Sequence, residues 1–291
     1  MAFTVDDLLA DARARLAAAP FAPAPREAAL LLGRILGWSE AQVLARGDRV
    51  LPAAAAERFA ALLVRRLGGE PVAYLLAERE FYGRPFHVDN RVLIPRPESE
   101  HLVEAALVWA RSAAAPAAPL VLDVGTGSGC LAVTLALELP AASLVASDLS
   151  VAALAVAAGN VRRHAVADRV RLAACDLFAG IEAGVFDLVV SNPPYVGRGE
   201  APALSIEVVD HEPASALFAD DEGPDAGIAA YSRLLAGAGR LTPGTRLMLE
   251  IGRGQLAAVR RRAAASGLQV ERVVDDYAAI PRVVVLRRPE R

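Results

Sequence analysis

Apolar residues recur along this chain at two periods, and the period changes near residue 120. Up to about residue 70 they fall three or four apart: Val5, Leu8, Leu9 and Leu16; then Ala28, Leu31, Leu32, Ile35 and Leu36; then Phe59, Leu62, Leu63 and Leu67. That is the spacing of one face of an amphipathic helix. Thr4 can cap the first helix, with Asp6 and Asp7 in its first turn, where the helix dipole favours negative charge. Pro25 and Gly37 bracket the second, and Pro52 and Gly68-Gly69 the third, because proline fits a first turn and glycine the position past a last one. Short helices with short connections predict a small helical bundle domain over 1–70. It carries no catalytic constellation, so a packing or docking role is expected.

Residues 71–97 change character. Glu80-Phe81-Tyr82-Gly83 and Phe86-His87-Val88 predict a β-hairpin linker turning around Gly83-Arg84-Pro85. Two prolines then stiffen Pro95-Arg96-Pro97-Glu98-Ser99-Glu100, and a helix is expected over about 98–111. From residue 120 short apolar runs alternate with helical stretches. Strands are predicted at 120–124, 143–147, 169–174, 186–190 and 245–251, and helices at about 129–138, 150–164, 226–238 and 254–266. Such alternation predicts an α/β domain over 98–291, with a mostly parallel sheet covered on both faces. The last two strands, 268–275 and 282–286, are joined too tightly for a parallel crossover and should pair antiparallel.

Composition narrows the function classes. The chain has 291 residues and a net charge of −3, which gives no support to a nucleic-acid-binding surface. All 31 basic residues are arginine, a bias that reads as genomic. Cys130 and Cys175 form no CxxC, and the four histidines show no zinc-like spacing, so no metal site is expected and a reduced, cytoplasmic setting fits. The N-terminus lacks a basic start and an apolar core, so no signal peptide is expected, and no membrane-length apolar run occurs.

The chemistry lies at predicted strand ends. Asp123-Val124-Gly125-Thr126-Gly127-Ser128-Gly129 closes one strand and opens a helix across a glycine-rich turn, which lets a ligand approach the backbone. A dinucleotide fingerprint would need glycine at 130, where Cys130 stands. The DxGxGxG spacing resembles motif I of the Rossmann-like, class I S-adenosylmethionine-dependent methyltransferases, in which this loop holds the methionine part of the cofactor. Asp148 ends the next strand, where a carboxylate can accept both ribose hydroxyls; the competing role is a helix cap, which Ser150 can fill instead. Asp176 and Leu177 follow the third strand, beside the expected adenine. There Asp176 can accept the exocyclic amine and Leu177 can cover the ring, with Leu177 and Phe178 equally readable as core. The two cysteines beside these loops read as buried, non-catalytic thiols.

Ser191-Asn192-Pro193-Pro194-Tyr195 follows the fourth strand. Two prolines stop the strand and make a stiff loop at its carboxyl end, where open α/β sheets bind ligands. Similar (D/N)PPY loops occur in methyltransferases that act on an NH2 group of a planar system. The lone pair of such a nitrogen is delocalised. Asn192 Oδ1 and the Pro193 carbonyl can each accept one N–H and aim it, while Tyr195 can stack on the planar group. This arrangement requires no strong base and no metal.

Taken together, these residues make the chain resemble the peptide-chain release factor glutamine methyltransferases, the PrmC/HemK family. The resemblance rests on Glu80-Phe81-Tyr82-Gly83, Ile94 to Glu100, Asp123 to Gly129, Asn192 to Tyr195, Glu212-Pro213, and Glu250-Ile251-Gly252 with Gln255. It implies methyl transfer from S-adenosylmethionine to the side-chain N5 of the GGQ glutamine of class 1 release factors, leaving S-adenosylhomocysteine. Gly125, Thr126, Gly127, Ser128, Gly129, Asp148, Leu177 and Asn192 would contact the cofactor, and Asn192, Pro193, Pro194 and Tyr195 the glutamine. No direct nucleic-acid partner is implied. The alternatives are a ribosomal-protein glutamine methyltransferase, which typically differs at the segment from Pro95 to Glu100, and an adenine-N6 nucleic acid methyltransferase, which usually needs a basic surface. Ala77 and Ala279 stand where the family usually has glycine, and Leu177 where many members carry an aromatic. The acidic residues between Glu207 and Asp225 read equally as a solvated connector or as a steering surface for a basic substrate loop.

Overall fold

The computed structural model describes residues 3–21, 25–219 and 226–289. Asp220, Asp221, Glu222 and Asp225 of the acidic stretch lie outside the described residues. Two compact units emerge: Met1–Arg79 with Ala203–Glu212, and Glu80–Pro202 with Pro213–Arg291.

The first unit is helical, as the 3.6-residue period predicts. Val5–Ala17 starts at Thr4, whose hydroxyl accepts from the Asp7 N–H while the Asp7 carboxylate accepts from the Thr4 N–H, a reciprocal capping box. Glu27–Leu36 ends at Gly37 in the left-handed conformation, and Ala53–Leu67 follows Pro52. Two five-residue helices, Glu40–Leu44 and Val72–Leu76, escape the sequence pattern because they are too short to show a period. Val5, Leu9, Leu31, Leu32, Phe59 and Leu63 form the core. Arg66 is 1% exposed and lies in this unit. Its guanidinium donates to both Glu27 oxygens at 2.7 and 3.2 Å, pairs with Glu207, and lies over the Phe21 ring. A buried charge is tolerated only when paired in this way. Glu207 therefore acts inside the protein, a use that neither reading of the acidic stretch foresaw.

The second unit is built on a seven-stranded sheet. Its strands are β1 (Leu120–Val124), β2 (Ser143–Asp148), β3 (Val170–Ala174), β4 (Leu188–Ser191), β5 (Arg246–Glu250), β6 (Gln269–Asp275) and β7 (Pro281–Arg287). The order is β6-β7-β5-β4-β1-β2-β3. All neighbours are parallel except β7, which runs antiparallel to both β5 and β6, so the expected closing hairpin is present. Helices Cys130–Glu138, Val151–Arg163, Ala229–Gly237 and Leu256–Ala265 match the predicted ones within a few residues at their ends. Two apolar cores result. Val121, Leu188 and Val190 contribute to one, Leu122, Val189 and Leu247 to the other, as alternate side chains of a sheet covered on both faces must.

The linker hairpin differs in register from the expectation. Its strands are Arg79–Phe81 and Arg84–Phe86, so the turn is Tyr82-Gly83 rather than Gly83-Arg84-Pro85. Tyr82 and Gly83 both have positive φ, 52° and 69°. A two-residue turn of this hand matches the twist of the strands, and proline at the turn's centre cannot adopt it. The helix expected at 98–111 starts as a 3-10 turn, Pro97–Ser99, and continues as Glu100–Ala110. No helix among the described residues is long and apolar enough to cross a membrane.

Candidate active site

The strand order reverses between β1 and β4: β2 and β3 follow β1 on one side, while β4 and β5 lie on the other. Such a switch point opens a crevice at the carboxyl ends of the strands. Here it is a cavity of about 500 Å³ lined by Gly125, Thr126, Gly127, Ser128, Asp148, Leu177, Asn192, Pro193 and Pro194, together with Ser99 and Arg96. Residues far apart in sequence thus converge on one site because each lies just past a strand end.

The glycine loop forms its floor. Gly125 and Gly127 have φ of 75° and 54°, and a Cβ on either would meet nothing within 4 Å, so both present bare backbone to open space. The Gly125 and Thr126 N–H groups donate to the Ser147 carbonyl at 2.8 and 2.9 Å, which anchors the loop to β2. Asp148 accepts from the Gly127 N–H and the Ser150 N–H, each at 2.8 Å. A carboxylate has about four lone-pair positions, so capacity remains toward the cavity. The competing cap role belongs to Ser150, whose hydroxyl accepts from the Ala153 N–H at 3.1 Å. Gly129 is not a lining residue; a Cβ there would lie 3.2 Å from the Ala157 Cβ, so its smallness serves helix packing. Leu177 faces the cavity with a φ of 52°, whereas Phe178 is core. Asp176 lines the cavity too, paired with Arg233 at 2.6 Å. Burial pushes the Cys130 thiol up to about 12 and raises Cys175, which suits neither to nucleophilic work.

The second wall is the loop after β4. The Ser191 hydroxyl donates to the Val124 carbonyl at 2.7 Å and ties the end of β4 to β1. The Asn192 Nδ2 donates to the Ser99 Oγ at 3.0 Å, and Ser99 donates to Glu250 Oε2 at 2.6 Å. Tyr195 is not a lining residue. Its hydroxyl donates to Glu250 Oε1 at 3.4 Å, and its carbonyl accepts from Gln255 Nε2 at 2.8 Å. Burial pushes the Glu250 carboxyl up to about 7, against the hydrogen bonds of Ser99 and Tyr195 and the charge of Arg282. Burial also raises the Tyr195 phenol, so it stays protonated.

Comparison with known proteins places the chain in a family. The family model described as the PrmC N-terminal domain matches residues 7–76, and the Methyltransferase small domain matches residues 105–215. A release factor glutamine methyltransferase of Bradyrhizobium diazoefficiens is 41% identical over 94% of this chain and 92% of its own. One of Cereibacter sphaeroides is 44% identical over 97% of this chain and 98% of its own. The chain belongs to the release factor glutamine methyltransferase family. Its fold is that of the Rossmann-like S-adenosylmethionine-dependent methyltransferases. A solved methyltransferase of Pyrococcus furiosus shares the architecture with a TM-score of 0.53 at 18% identity, covering 78% of this chain and 98% of that one.

Within this family frame, some site residues were invisible to motif reading. Asn160 is fully buried; its Nδ2 donates to the Ser128 carbonyl and the His87 carbonyl, and its Oδ1 accepts from the His87 N–H. It therefore bolts the glycine loop to the residues after the hairpin. Nothing in the local sequence marks it except an amide inside an otherwise alanine-rich helix. Glu250 and Gln255 entered the sequence reading only as matched positions. Their contacts with Tyr195 give them a physical role as a brace behind the loop after β4.

Proposed function

We propose that the protein methylates the side-chain N5 of the GGQ glutamine of class 1 release factors, using S-adenosylmethionine. The observation that carries the reading is that Asn192, Pro193 and Pro194 line the same cavity as the bare glycine floor and Asp148. Methyl acceptor and methyl donor would then share one chamber. The names of the relatives, matched over nearly the full chain including the helical unit, support a release factor as the acceptor protein. The floor fits the cofactor: open glycine backbone for its methionine part, and Asp148 with spare acceptor capacity for its ribose hydroxyls. When bound, S-adenosylmethionine supplies a methyl carried on a positively charged sulfur.

Asn192 Oδ1 and the Pro193 carbonyl would each accept one N–H of the glutamine amide and turn its nitrogen toward the methyl. This is positioning and electrostatics rather than base catalysis. The methyl would pass from the cofactor's sulfur, which would become a neutral thioether, to the amide nitrogen that Asn192 and Pro193 hold in line. The N-alkylated amide is then a strong acid, so its extra proton passes to water without a protein base. Pro193 and Pro194 keep the loop rigid, and Tyr195 anchors it from behind through Glu250 and Gln255.

Labelled S-adenosylmethionine offered in parallel with a release factor, ribosomal proteins and DNA tests the proposal. Label is expected on the release factor, and conversion of its GGQ glutamine to alanine should abolish incorporation. Label appearing only in DNA or in a ribosomal protein would overturn it.

A further inference from the structure

A fully buried carboxylate lies behind the loop after β4, outside the cavity, and methyl transfer as proposed uses it only to anchor Tyr195. Glu250 is 0% exposed. It is held at three atoms: Oε2 by the Ser99 hydroxyl at 2.6 Å, Oε1 by the Tyr195 hydroxyl, and its main-chain carbonyl by the Tyr231 hydroxyl at 3.0 Å. We infer that Glu250 and Ser99 are positioning residues that fix which face of the Asn192 amide meets the acceptor. The inference rests on the reading of Asn192 as the group that receives the acceptor's N–H.

Hydrogen-bond polarity fixes the amide's orientation. An ionised carboxylate can only accept, and a serine hydroxyl has a single proton. At 2.6 Å the Ser99 proton is committed to Glu250 in a short, charge-assisted bond. Ser99 therefore has only a lone pair left for Asn192, 3.0 Å away, and the amide must turn its NH2 toward Ser99. Oδ1 is left for the cavity that Asn192 lines. With the amide reversed, Oδ1 would meet a hydroxyl oxygen that has no proton to give. Its NH2 would then meet the acceptor's NH2, donor against donor, and the acceptor would not be held. A carboxylate two bonds removed from the cavity thus sets the polarity of the group inside it.

Protonating Glu250 releases the constraint. A carboxylic acid can donate to Ser99, which frees the Ser99 proton for Asn192 and permits either face of the amide. The groups around Glu250 act in both directions. Arg282 from β7, Ser99 and Tyr195 favour its charge, while burial and Glu98 oppose it; Tyr231 and Cys130 also lie within its field. Burial dominates and brings the carboxyl up to about 7. The constraint is therefore present above that pH and is lost as pH falls through it.

The test is turnover against pH for the wild-type enzyme, Ser99→Ala, Ser99→Thr and Glu250→Gln. It is read beside the Asn192 side-chain NH2 signals of 15N-labelled protein without cofactor, assigned by their loss in Asn192→Ala. Ser99→Ala should lower kcat about tenfold, with KM for both substrates within about threefold, as expected for a misaimed rather than a missing contact. Ser99→Thr, which restores the hydroxyl, should recover most of that loss. In the wild type, kcat should show an acid limb near neutral pH, and the Asn192 NH2 signals should move over the same range. Glu250→Gln should remove both titrations, since glutamine can present either its oxygen or its NH2 to Ser99. Wild-type kcat in Ser99→Ala would overturn the inference, as would an acid limb and a moving NH2 signal that survive in Glu250→Gln. Should Glu250→Gln fail to fold, Ser99→Ala and Ser99→Thr decide it alone. Absence of methyl transfer by the wild type would instead defeat the release factor reading, and the NMR titration would still decide the hydrogen-bond polarity.

Discussion

Two fully buried carboxylates flank the strand that leads into the Asn192 loop, and they brace opposite sides of one cavity. Asp123 sits on β1 and Glu250 ends β5, the two strands paired with β4. Each accepts a hydroxyl hydrogen bond of 2.6 Å, Asp123 from Thr126 of the glycine loop and Glu250 from Ser99, which passes the contact on to Asn192. Burial pushes both up to about 7, and the hydroxyl is the leading group that opposes it in each case. They differ in what happens to the second oxygen. Glu250 Oε1 has Tyr195, whereas Asp123 Oδ1 is buried with no well-formed hydrogen bond, only the Ala132 N–H helping to lower its pKa. The comparison teaches that a costly buried charge can shape a loop from behind. On the β1 side it shapes the glycine floor of the cavity, and on the β5 side the wall formed by the Asn192 loop.

The first way to break the comparison is to remove the group that Glu250 serves. Asn192→Ala should lose turnover by ~10²-fold or more, the usual cost of one positioned polar contact in a transition state, while calorimetry shows a smaller fall in cofactor affinity. Unchanged kcat would remove Asn192 from the reaction. The second way uses pH. Each carboxyl binds its proton more tightly folded, at about 7, than unfolded, near ~4. The folded state then holds more protons between those values, so stability is full below ~4 and falls as pH rises toward about 7. Thermal melts of Asp123→Asn and Glu250→Gln should each show a flatter decline across that window, by up to about 4 kcal/mol. The two should part in kinetics: Asp123→Asn should act on cofactor affinity and keep the acid limb of kcat that Glu250→Gln loses. The third, smaller effect is on the floor. Asp148→Ala should weaken cofactor binding by about tenfold if the proposed ribose role holds, because the anchor of the Gly127 N–H is lost with it. Unaltered affinity by calorimetry would exclude Asp148 from the site.

What could be read from the sequence divides along the same line as local and distant interactions. The strands of the main sheet were legible within one to a few residues, because apolar runs bounded by turn formers are a local signal. The cavity floor was legible because Gly125, Gly127 and Asp148 follow strand ends in a fixed topology. Tyr195 was expected against the acceptor, yet its hydroxyl turns to Glu250, a partner 55 residues later. Ser99 and Glu250 lie 151 positions apart, and neither shows a spacing that predicts the bond between them. The same holds for Arg66 with Glu207, where a charge that reads as surface is buried. Pairings of this kind are decided by which strand ends and helices meet, not by the residues' neighbours in sequence.

Ala77 and Ala279 offer the last and smallest test, and it contrasts the two units. Both adopt the left-handed backbone that glycine favours, with φ of 55° and 58°. The local structure holds them there. The Ala77 N–H donates to the Tyr74 carbonyl and the Glu78 N–H to the Ala73 carbonyl, closing the helix Val72–Leu76. Ala279 sits in a loop whose Asp276 carboxylate accepts from the Ala278 and Ile280 N–H groups and from Arg282. A Cβ in this conformation costs roughly 1–2 kcal/mol, and glycine returns part of the relief as extra freedom in the unfolded chain. Ala77→Gly and Ala279→Gly should therefore each stabilise by about 0.5–1 kcal/mol in chemical denaturation, and the two should add, being far apart in the chain and in different units. Leu177 has the same strain, but its side chain lines the cavity. Leu177→Gly should lose cofactor affinity and, because Leu177 also packs partly against the core, should not show the stability gain of the two alanines.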